Sequence, residues 1–114
     1  MSENCLFCKI AKGEIPSKKI YEDEELLAFN DIHPKGPVHI LIIPKKHYAT
    51  LNDIPDGEFG FVSKVFSLAK KLAKEKGVDQ SGYRTLVNTM KDSGQEVFHI
   101  HWHVIGGKKL GPMA

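Results

Sequence analysis

The chain has 114 residues, of which 41% are apolar and 26% charged, the size and composition of one globular domain with its own core. Its formal net charge of +2 is too small to indicate a surface for nucleic acid or an acidic membrane. The longest apolar run, 38–43, is too short to span a bilayer, and the first residues lack the basic and apolar regions of a secretory signal. We therefore expect one cytoplasmic domain over residues 1–114, with no nucleic-acid or membrane partner.

The N-terminal segment, residues 5–12, is predicted to form a short helix, with Asn4 as its N-cap and Gly13 at its end. It contains the two cysteines of the chain, Cys5 and Cys8, which would share one side of the helix. Thiols stay reduced in the cytosol, so redox and metal-binding roles are both open. A thioredoxin-like role would need a strand before the pair, and none is predicted there.

Two short strands, 19–22 and 25–30, are predicted to form a hairpin. After a loop with two prolines and a glycine, residues 38–43 have the apolar pattern of a central strand, which Pro44 ends. His39 lies within this otherwise apolar strand. Two interpretations are open: a core histidine with a polar partner, or a side chain that points into the same site as the histidines near the C-terminus.

A long helix is predicted from Asp56 to about Lys76, where Gly77 stops it. Its apolar positions exceed the single stripe that a helix needs to cover one sheet: Phe59, Phe61, Val62, Val65, Phe66, Leu68, Ala69, Leu72 and Ala73. Either a partner chain covers part of this surface, or the stripe is wide in a small core. A fourth strand is predicted from Tyr83 to about Asn88.

The most informative stretch is the predicted fifth strand, 98–105, because His99, His101 and His103 alternate within it and would lie on one face. Two imidazoles at i and i+2 can share a zinc ion. One histidine can also attack phosphorus while its neighbours donate hydrogen bonds. Together the elements predict an α+β fold: a five-stranded, mostly antiparallel sheet with one long and one short helix.

Residues 94–105, Gly-Gln-Glu-Val-Phe-His-Ile-His-Trp-His-Val-Ile, resemble the signature of the histidine triad (HIT) family, in which three histidines alternate with apolar residues. Residues 29–32, 38–47 and 87–88 also resemble the family, in the expected order. The Gly106-Gly107 ending is similar to that of the histidine triad nucleotide-binding (Hint) branch. The resemblance implies a HIT-like fold and a homodimer whose two sheets join into one.

The Hint branch resembles purine nucleoside phosphoramidases, which cleave the P–N bond at the α-phosphate of a nucleoside 5′-phosphoramidate. The resemblance makes His101 the nucleophile, through a covalent nucleotidyl-histidine, and places His103 and His39 beside the phosphate. Two alternatives are a dinucleoside polyphosphate hydrolase, and a nucleotide-binding or adaptor module with incidental catalysis. The presence of all three histidines favours an enzyme.

The resemblance also implies how a purine nucleotide, similar to AMP or GMP, would bind as substrate or product. Asp31 would accept hydrogen bonds from the ribose hydroxyls; the competing interpretation is a plain Asx turn in a loop. An apolar slot for the base would comprise Leu6, Phe7, Ile10, Phe29 and Ile32. Near the phosphate, the implied residues are Asn88, Gly94, Gln95 and Val97, with backbone N–H groups of the Gly94-Gln95 loop as donors.

Two features depart from the family pattern. Glu96 occupies a position where many Hint relatives have a serine, and a carboxylate is repelled by phosphate unless it turns away or receives the charge of the amine. The C-terminal residues, 110–114, lack the tryptophan with which some relatives shape their preference for a leaving group. The leaving group is therefore the least predictable part of the substrate.

Some bacterial-type HIT proteins hold a structural zinc ion with a C-x-x-C near the N-terminus, a histidine after the central strand and the first histidine of the signature. The matching residues are Cys5, Cys8, His47 and His99, a sound tetrahedral set. The resemblance thus implies structural zinc and no organic cofactor. The histidines of the signature would then divide between a structural and a catalytic site.

Overall fold

The computed structural model describes residues 4–114, so the domain prediction for residues 1–3 lies outside the described part of the chain. Five antiparallel strands form one sheet in the order β1-β2-β3-β5-β4. The strands are β1 (Lys19–Glu22), β2 (Leu26–Asn30), β3 (Val38–Pro44), β4 (Tyr83–Val87) and β5 (Trp102–Gly106). The helices are α1 (Leu6–Ala11) and α2 (Gly60–Glu75), with single 3₁₀ turns at Leu51–Asp53, Asp56–Glu58 and Lys91–Ser93. The predicted fold class is confirmed.

The sheet is covered by a different helix on each face because its strands are apolar on both faces. Helix α2 packs its buried stripe against one face in a cluster that includes Phe61, Val65, Leu68, Leu72, Ile40, Ile42, Trp102 and Val104. Helix α1 packs on the other face in a second cluster, Cys5, Phe7, Cys8, Ile10, Leu27, Phe29, Leu41 and Ile43. This second face also carries the histidines of interest.

The sheet leaves part of the apolar stripe of α2 uncovered. Phe66 is 46% exposed, and Phe59, just before the helix, is 37% exposed. Val62 is only partly buried against the core. The stripe is therefore wider than the domain itself covers, as the sequence indicated.

The fifth strand differs from the prediction because it begins at Trp102, not at residue 98. Trp102 pairs with Ile42, and the same register would pair His101 with Ile43 and then Ile100 with Pro44, which has no N–H to donate. Ile100 instead donates its N–H to the carbonyl of Tyr48, at 2.7 Å. His99, which is at a bend, and His101 thus precede β5 and lie outside the ladder.

Both predicted helix starts are also wrong in detail. Helix α1 is capped by Cys5, whose Sγ accepts from the N–H of Cys8 at 3.3 Å, and not by Asn4. Helix α2 begins at Gly60, because the residues from Asp56 first form a separate 3₁₀ turn. The predicted end holds: Gly77, at φ +76°, follows the last turn in the left-handed conformation that glycine adopts readily.

Candidate functional site

The three predicted catalytic histidines come together on the α1 face of the sheet. His39 is in β3 and His103 is in the neighbouring strand β5, opposite Leu41. Their rings approach to 2.8 Å between His39 Nε2 and His103 Nδ1. The ring of His101 lies 5.0 Å from that of His103 and 5.1 Å from that of Phe7 on α1. Residues from β3, from β5 and the segment before it, and from α1 are therefore in contact at this site.

A chain of hydrogen bonds fixes the tautomers of two of these histidines. The backbone N–H of Lys35 donates to His39 Nδ1 at 2.9 Å, so the proton of neutral His39 is on Nε2. That N–H donates to His103 Nδ1, and His103 therefore carries its own proton on Nε2. His103 Nε2 is buried and has no hydrogen-bond partner among the described residues. It is a donor placed to meet an acceptor from outside the chain.

This geometry changes the predicted role of His39. Its one N–H is used on His103, and Asp31 Oδ2 lies 3.4 Å from the same nitrogen. The resemblance implied that His39 would donate directly to a phosphate; in the structure its N–H is directed at His103 Nδ1 instead. Lys35 was not predicted in this site because a backbone donor in a loop leaves no pattern in the sequence.

His101 is oriented by its own main chain. The carbonyl of His99 can only accept, so His101 donates to it through Nδ1, at 2.9 Å. The lone pair of a neutral His101 is therefore on Nε2, the nitrogen that remains for attack on an electrophile.

Burial keeps all three imidazoles neutral. Desolvation lowers the pKa of His103 to about 4, with the neighbouring His101 and His39 adding to the effect. Burial likewise lowers the pKa of His101 and of His39, although Asp31 opposes the shift in both. A neutral imidazole has the lone pair that a nucleophile needs, so the site is in its reactive protonation state near pH 7.

A cavity of about 790 Å³ lies between α1 and the end of β2, and its walls include Phe7, which packs against His101, and Leu41, which pairs with His103. We call it the base slot. Its walls include every residue predicted for the apolar slot, together with Asp31 and several that were not predicted: Ile15, Pro16, Ser17, Lys18, Asn30, Pro34 and Leu41. Residues 15–18 belong to the link after α1. The only feature of the sequence that could have indicated them is the apolar pair Ile15-Pro16 shortly after Gly13. Ile32 is 85% exposed, at the rim.

The two carboxylate oxygens of Asp31 make different contacts. Oδ1 accepts from the backbone N–H of His33 at 2.8 Å, which is an Asx turn. Oδ2 points toward His39, and the carboxylate lines the base slot. One oxygen thus holds the loop while the other faces the site.

The loop between β4 and β5 differs from the expected phosphate cradle. The N–H groups of Gly94 and Gln95 both donate within the loop, to Lys91 and Met90. The buried Gln95 side chain holds the loop in place: Oε1 accepts from Met90 N–H, and Nε2 donates to the carbonyls of Ala49 and Val97. Gln95 is therefore a structural residue of this loop. No sequence signal distinguished that role from contact with a ligand.

The remaining predicted residues of this region lie near the same edge. Asn88 follows the last residue of β4, whose Leu86 pairs with His103. Val97 is half-buried against the cluster around α1. Glu96 is exposed. Within residues 4–114, the N–H groups of Glu96 and Val97 make no backbone hydrogen bond.

The four predicted metal ligands form a second cluster on the other side of His99. Their ligand atoms all lie within 4.8 Å of one another, and three of the four residues are buried. His99 Nδ1 lies 3.3 Å from Cys5 Sγ, 3.5 Å from Cys8 Sγ and 3.2 Å from His47 Nδ1. Tetrahedral zinc, with bonds of about 2.0 to 2.3 Å, would need separations of about 3.4 Å between two nitrogens and about 3.5 Å between nitrogen and sulfur.

The protonation of His99 also suits a metal. His99 Nε2 donates to the carbonyl of Pro44 at 2.7 Å, which leaves the Nδ1 lone pair facing the two thiols. Burial lowers the pKa of His99 to about 4, so the ring is neutral. The donor set and its spacing fit a zinc ion with four protein ligands and no open position.

In residues 4–114, no helix is long and apolar enough to cross a bilayer.

The model of the HIT domain matches residues 12–110. A purine nucleoside phosphoramidase from Escherichia coli K12 is 43% identical over 113 residues, covering 99% of this chain and 95% of the relative. Protein HitA from Neisseria gonorrhoeae is 43% identical over 104 residues, covering 91% and 96%.

Solved structures show the same likeness. A histidine triad protein from Clostridium difficile superposes with a TM-score of 0.96 and 54% identity, covering all of this chain and 99% of the other. A histidine triad nucleotide-binding protein from Candida albicans superposes with a TM-score of 0.82 and 38% identity, covering 97% and 84%. These matches confirm the predicted resemblance to Hint-like proteins and the expectation of a HIT-type hydrolase. The chain belongs to the HIT domain family.

Proposed function

We propose that the protein hydrolyses purine nucleoside 5′-phosphoramidates by cleaving the P–N bond at the α-phosphate. One observation carries this proposal: His101, whose Nε2 lone pair is free, has its ring 5.0 Å from that of His103, whose Nε2–H has no partner among the described residues. A nucleophile next to an oriented donor is suited to phosphoryl transfer, because charge develops on the phosphate oxygens as the nucleophile approaches. The E. coli relative named purine nucleoside phosphoramidase supports the substrate class.

In the proposed reaction, His101 Nε2 forms a bond to phosphorus and the P–N bond breaks. The departing nitrogen takes up a proton from solvent and leaves as an amine. Water then attacks phosphorus and releases a proton to solvent, the bond to His101 breaks, and the products are a nucleoside monophosphate and the free imidazole. His103 donates to the phosphate in both steps, while the bond from His101 Nδ1 to the carbonyl of His99 keeps the attacking nitrogen unprotonated.

The nucleotide would lie along the α1 face of the sheet. The purine occupies the base slot, whose walls are mostly apolar. Asp31 Oδ2 accepts from the ribose hydroxyls, since Oδ1 is engaged in the turn. The N–H groups of Glu96 and Val97 donate to the phosphate in place of the satisfied Gly94 and Gln95. Asn88 borders the phosphate from the end of β4.

We also infer that Cys5, Cys8, His47 and His99 hold a structural zinc ion, on the strength of their spacing and the tautomer of His99. Such an ion would clamp α1 to the sheet and would take no part in bond cleavage, because its four positions are filled by protein.

We further infer a homodimer. Strand β4 is at one edge of the sheet, and Phe66 and Phe59 expose apolar surface. Pairing of two β4 edges with burial of this surface would join two sheets into one. The cytoplasmic location remains a prediction.

Turnover of adenosine 5′-phosphoramidate, with a diadenosine polyphosphate assayed in parallel, tests the proposed activity. Wild type should hydrolyse the phosphoramidate faster, and His101→Ala should lose the activity. His33→Ala, which removes an exposed histidine from the neighbouring loop, is the matched control and should remain active. Faster cleavage of the dinucleotide would favour the polyphosphate hydrolase instead. Nucleotide binding without turnover would favour the adaptor role. Full activity of His101→Ala would exclude the covalent mechanism.

A further inference from the structure

Helix α1 carries two sets of side chains with different tasks. Cys5, its cap, and Cys8 reach the cluster of proposed metal ligands. Leu6, Phe7 and Ile10 line the base slot. One short helix therefore belongs to both sites, and whatever determines its position determines the shape of the base slot.

Little besides the two cysteines anchors α1 by polar contacts. The helix has six residues, well below the roughly 12 to 15 that an isolated helix needs in water. Among the described residues, 4–114, the side-chain polar contacts between α1 with its cap and the sheet run through Cys5 and Cys8, which reach His99 and His47 at 3.2 to 3.5 Å. The other contacts are apolar, such as the edge-on packing of Phe7 against Phe29 at 5.4 Å.

A bound ion would replace these weak thiol–imidazole contacts by four coordination bonds. Two of the four would come from α1 and two from the sheet side, His47 and His99. The ion would therefore favour the docked helix over any undocked one. A purine in the base slot would favour the same docked state, because it contacts the opposite side of the same helix. Two ligands that stabilise one state of a shared element bind cooperatively.

We propose that zinc binding and purine binding are coupled through the docking of α1, with Cys5 and Cys8 as positioning residues for the base slot. This inference rests on the proposed function, since it takes a purine nucleotide as the ligand of the slot. Thermodynamic reciprocity requires that zinc strengthen nucleotide binding by the same factor by which nucleotide strengthens zinc binding. We expect a factor of about 10, within the usual range of roughly 5 to 150 for coupled sites.

The coupling is specific to the base, which provides the first test. AMP contacts α1 through its purine, whereas ribose 5-phosphate has no group that reaches this helix. Calorimetric titration of the zinc-loaded protein and of the chelator-treated protein should show AMP affinity falling about tenfold without zinc. Ribose 5-phosphate affinity should change by less than about twofold. Equal AMP affinities with and without zinc, or a parallel loss for ribose 5-phosphate, would overturn the coupling.

A second measurement needs no metal-free protein, so it stands even if zinc removal unfolds the chain. The equilibrium transfer of Zn²⁺ from the loaded wild type to a competing chelator is measured with saturating AMP, with ribose 5-phosphate and with neither. AMP should raise the apparent zinc affinity about tenfold, and ribose 5-phosphate should leave it unchanged. No effect of AMP would overturn the proposal.

Two matched variants locate the coupling in α1. Leu6→Ala and Ile32→Ala each remove an exposed aliphatic side chain from the wall of the base slot, but only Leu6 is on α1. Leu6→Ala should reduce the effect of AMP on zinc affinity, while Ile32→Ala should weaken AMP binding and leave the coupling factor intact. If Ile32→Ala reduced the coupling factor and Leu6→Ala left it intact, the assignment of the coupling to α1 would be overturned.

The two proposals fail in different ways. If the zinc-loaded protein does not bind AMP, the proposed function falls and the coupling falls with it. If AMP binds and the phosphoramidate is turned over, but neither responds to zinc, only the coupling is refuted. A protein that takes up no Zn²⁺ refutes the metal site and the coupling, and leaves the turnover result standing.

Discussion

The hydrogen bond between His39 and His103 offers the sharpest test of the catalytic site. His39 receives its own hydrogen bond from the N–H of Lys35 and passes one on to His103 Nδ1, at 2.8 Å. His39→Ala removes the donor that keeps the proton of His103 on Nε2. The other tautomer would then turn a lone pair toward the phosphate. We therefore expect His39 to act through His103 and not by touching the substrate.

The size of the effect follows from what is lost. The net free energy of one buried hydrogen bond is about 1 kcal/mol, and an unpaired buried nitrogen costs about 1 to 3 kcal/mol. Because 1.4 kcal/mol corresponds to a factor of about ten, His39→Ala should lower kcat by roughly 5- to 100-fold. This is less than the loss from removing the nucleophile with His101→Ala. The Kd of AMP should change little, since His103 donates most strongly in the transition state.

His39→Gln is the matched variant, because a glutamine amide can place an N–H close to the position of His39 Nε2. It should recover most of the activity that His39→Ala loses. The unfolding midpoint of both variants is measured as well, to show that each is folded. The reasoning is refuted if His39→Ala retains wild-type kcat. It is also refuted if His39→Gln is as slow as His39→Ala while folding normally, since the imidazole itself would then be required.

Three further outcomes are expected. Burial lowers the pKa of His103 in the folded chain to about 4, so between pH 6.5 and pH 4 His103 is protonated in the unfolded chain and mostly neutral in the folded one. Acidification over this range should therefore lower the free energy of unfolding by at most about 3 kcal/mol from this residue. Urea unfolding at both pH values checks this, and His103→Gln should show a smaller difference than wild type; equal differences contradict it. Gln95→Ala should cost about 2 to 3 kcal/mol of stability, because three hydrogen bonds at a buried side chain are lost, whereas Gln80→Ala on the surface should cost almost nothing. In solution the wild-type mass should be about twice 12.8 kDa and Phe66→Glu should approach 12.8 kDa; a wild-type mass near 12.8 kDa would exclude the dimer.

The parts of the molecule that could be predicted are those with a short local pattern. Short segments bounded by turn residues predicted the strands, and the sheet was correctly predicted from them. Likewise, the histidines at alternate positions indicated a site on one face, and His99, His101 and His103 do lie on the α1 side of the sheet. In both cases the signal lies within a few neighbouring residues, so it can be read without knowledge of the tertiary fold.

The errors arise where main-chain groups decide the structure. Pattern alone extended β5 to residue 98, but Pro44, in the neighbouring strand β3 and far away in sequence, has no N–H to continue the ladder beyond Trp102. The cap of α1 was assigned to Asn4 by propensity, whereas the Cys5 thiol takes that place. His39 was assigned to the phosphate, and the N–H of Lys35 turns its only proton toward His103. A hydrogen bond from a main-chain N–H leaves no pattern in the sequence, even when its acceptor is only three or four residues away, as for Cys5 and His39.

His99 explains why two sites can share one short stretch of chain. Its ring offers Nδ1 to the proposed metal ligands and donates through Nε2 to the carbonyl of Pro44. Its own carbonyl accepts from His101 Nδ1 and so sets the tautomer of the proposed nucleophile. The side chain of His99 therefore serves one site and its main chain serves the other. A substitution that leaves the metal site intact but shifts the His99 carbonyl would impair His101 although His101 itself is unchanged. A substitution of the His99 ring would disturb both sites at once.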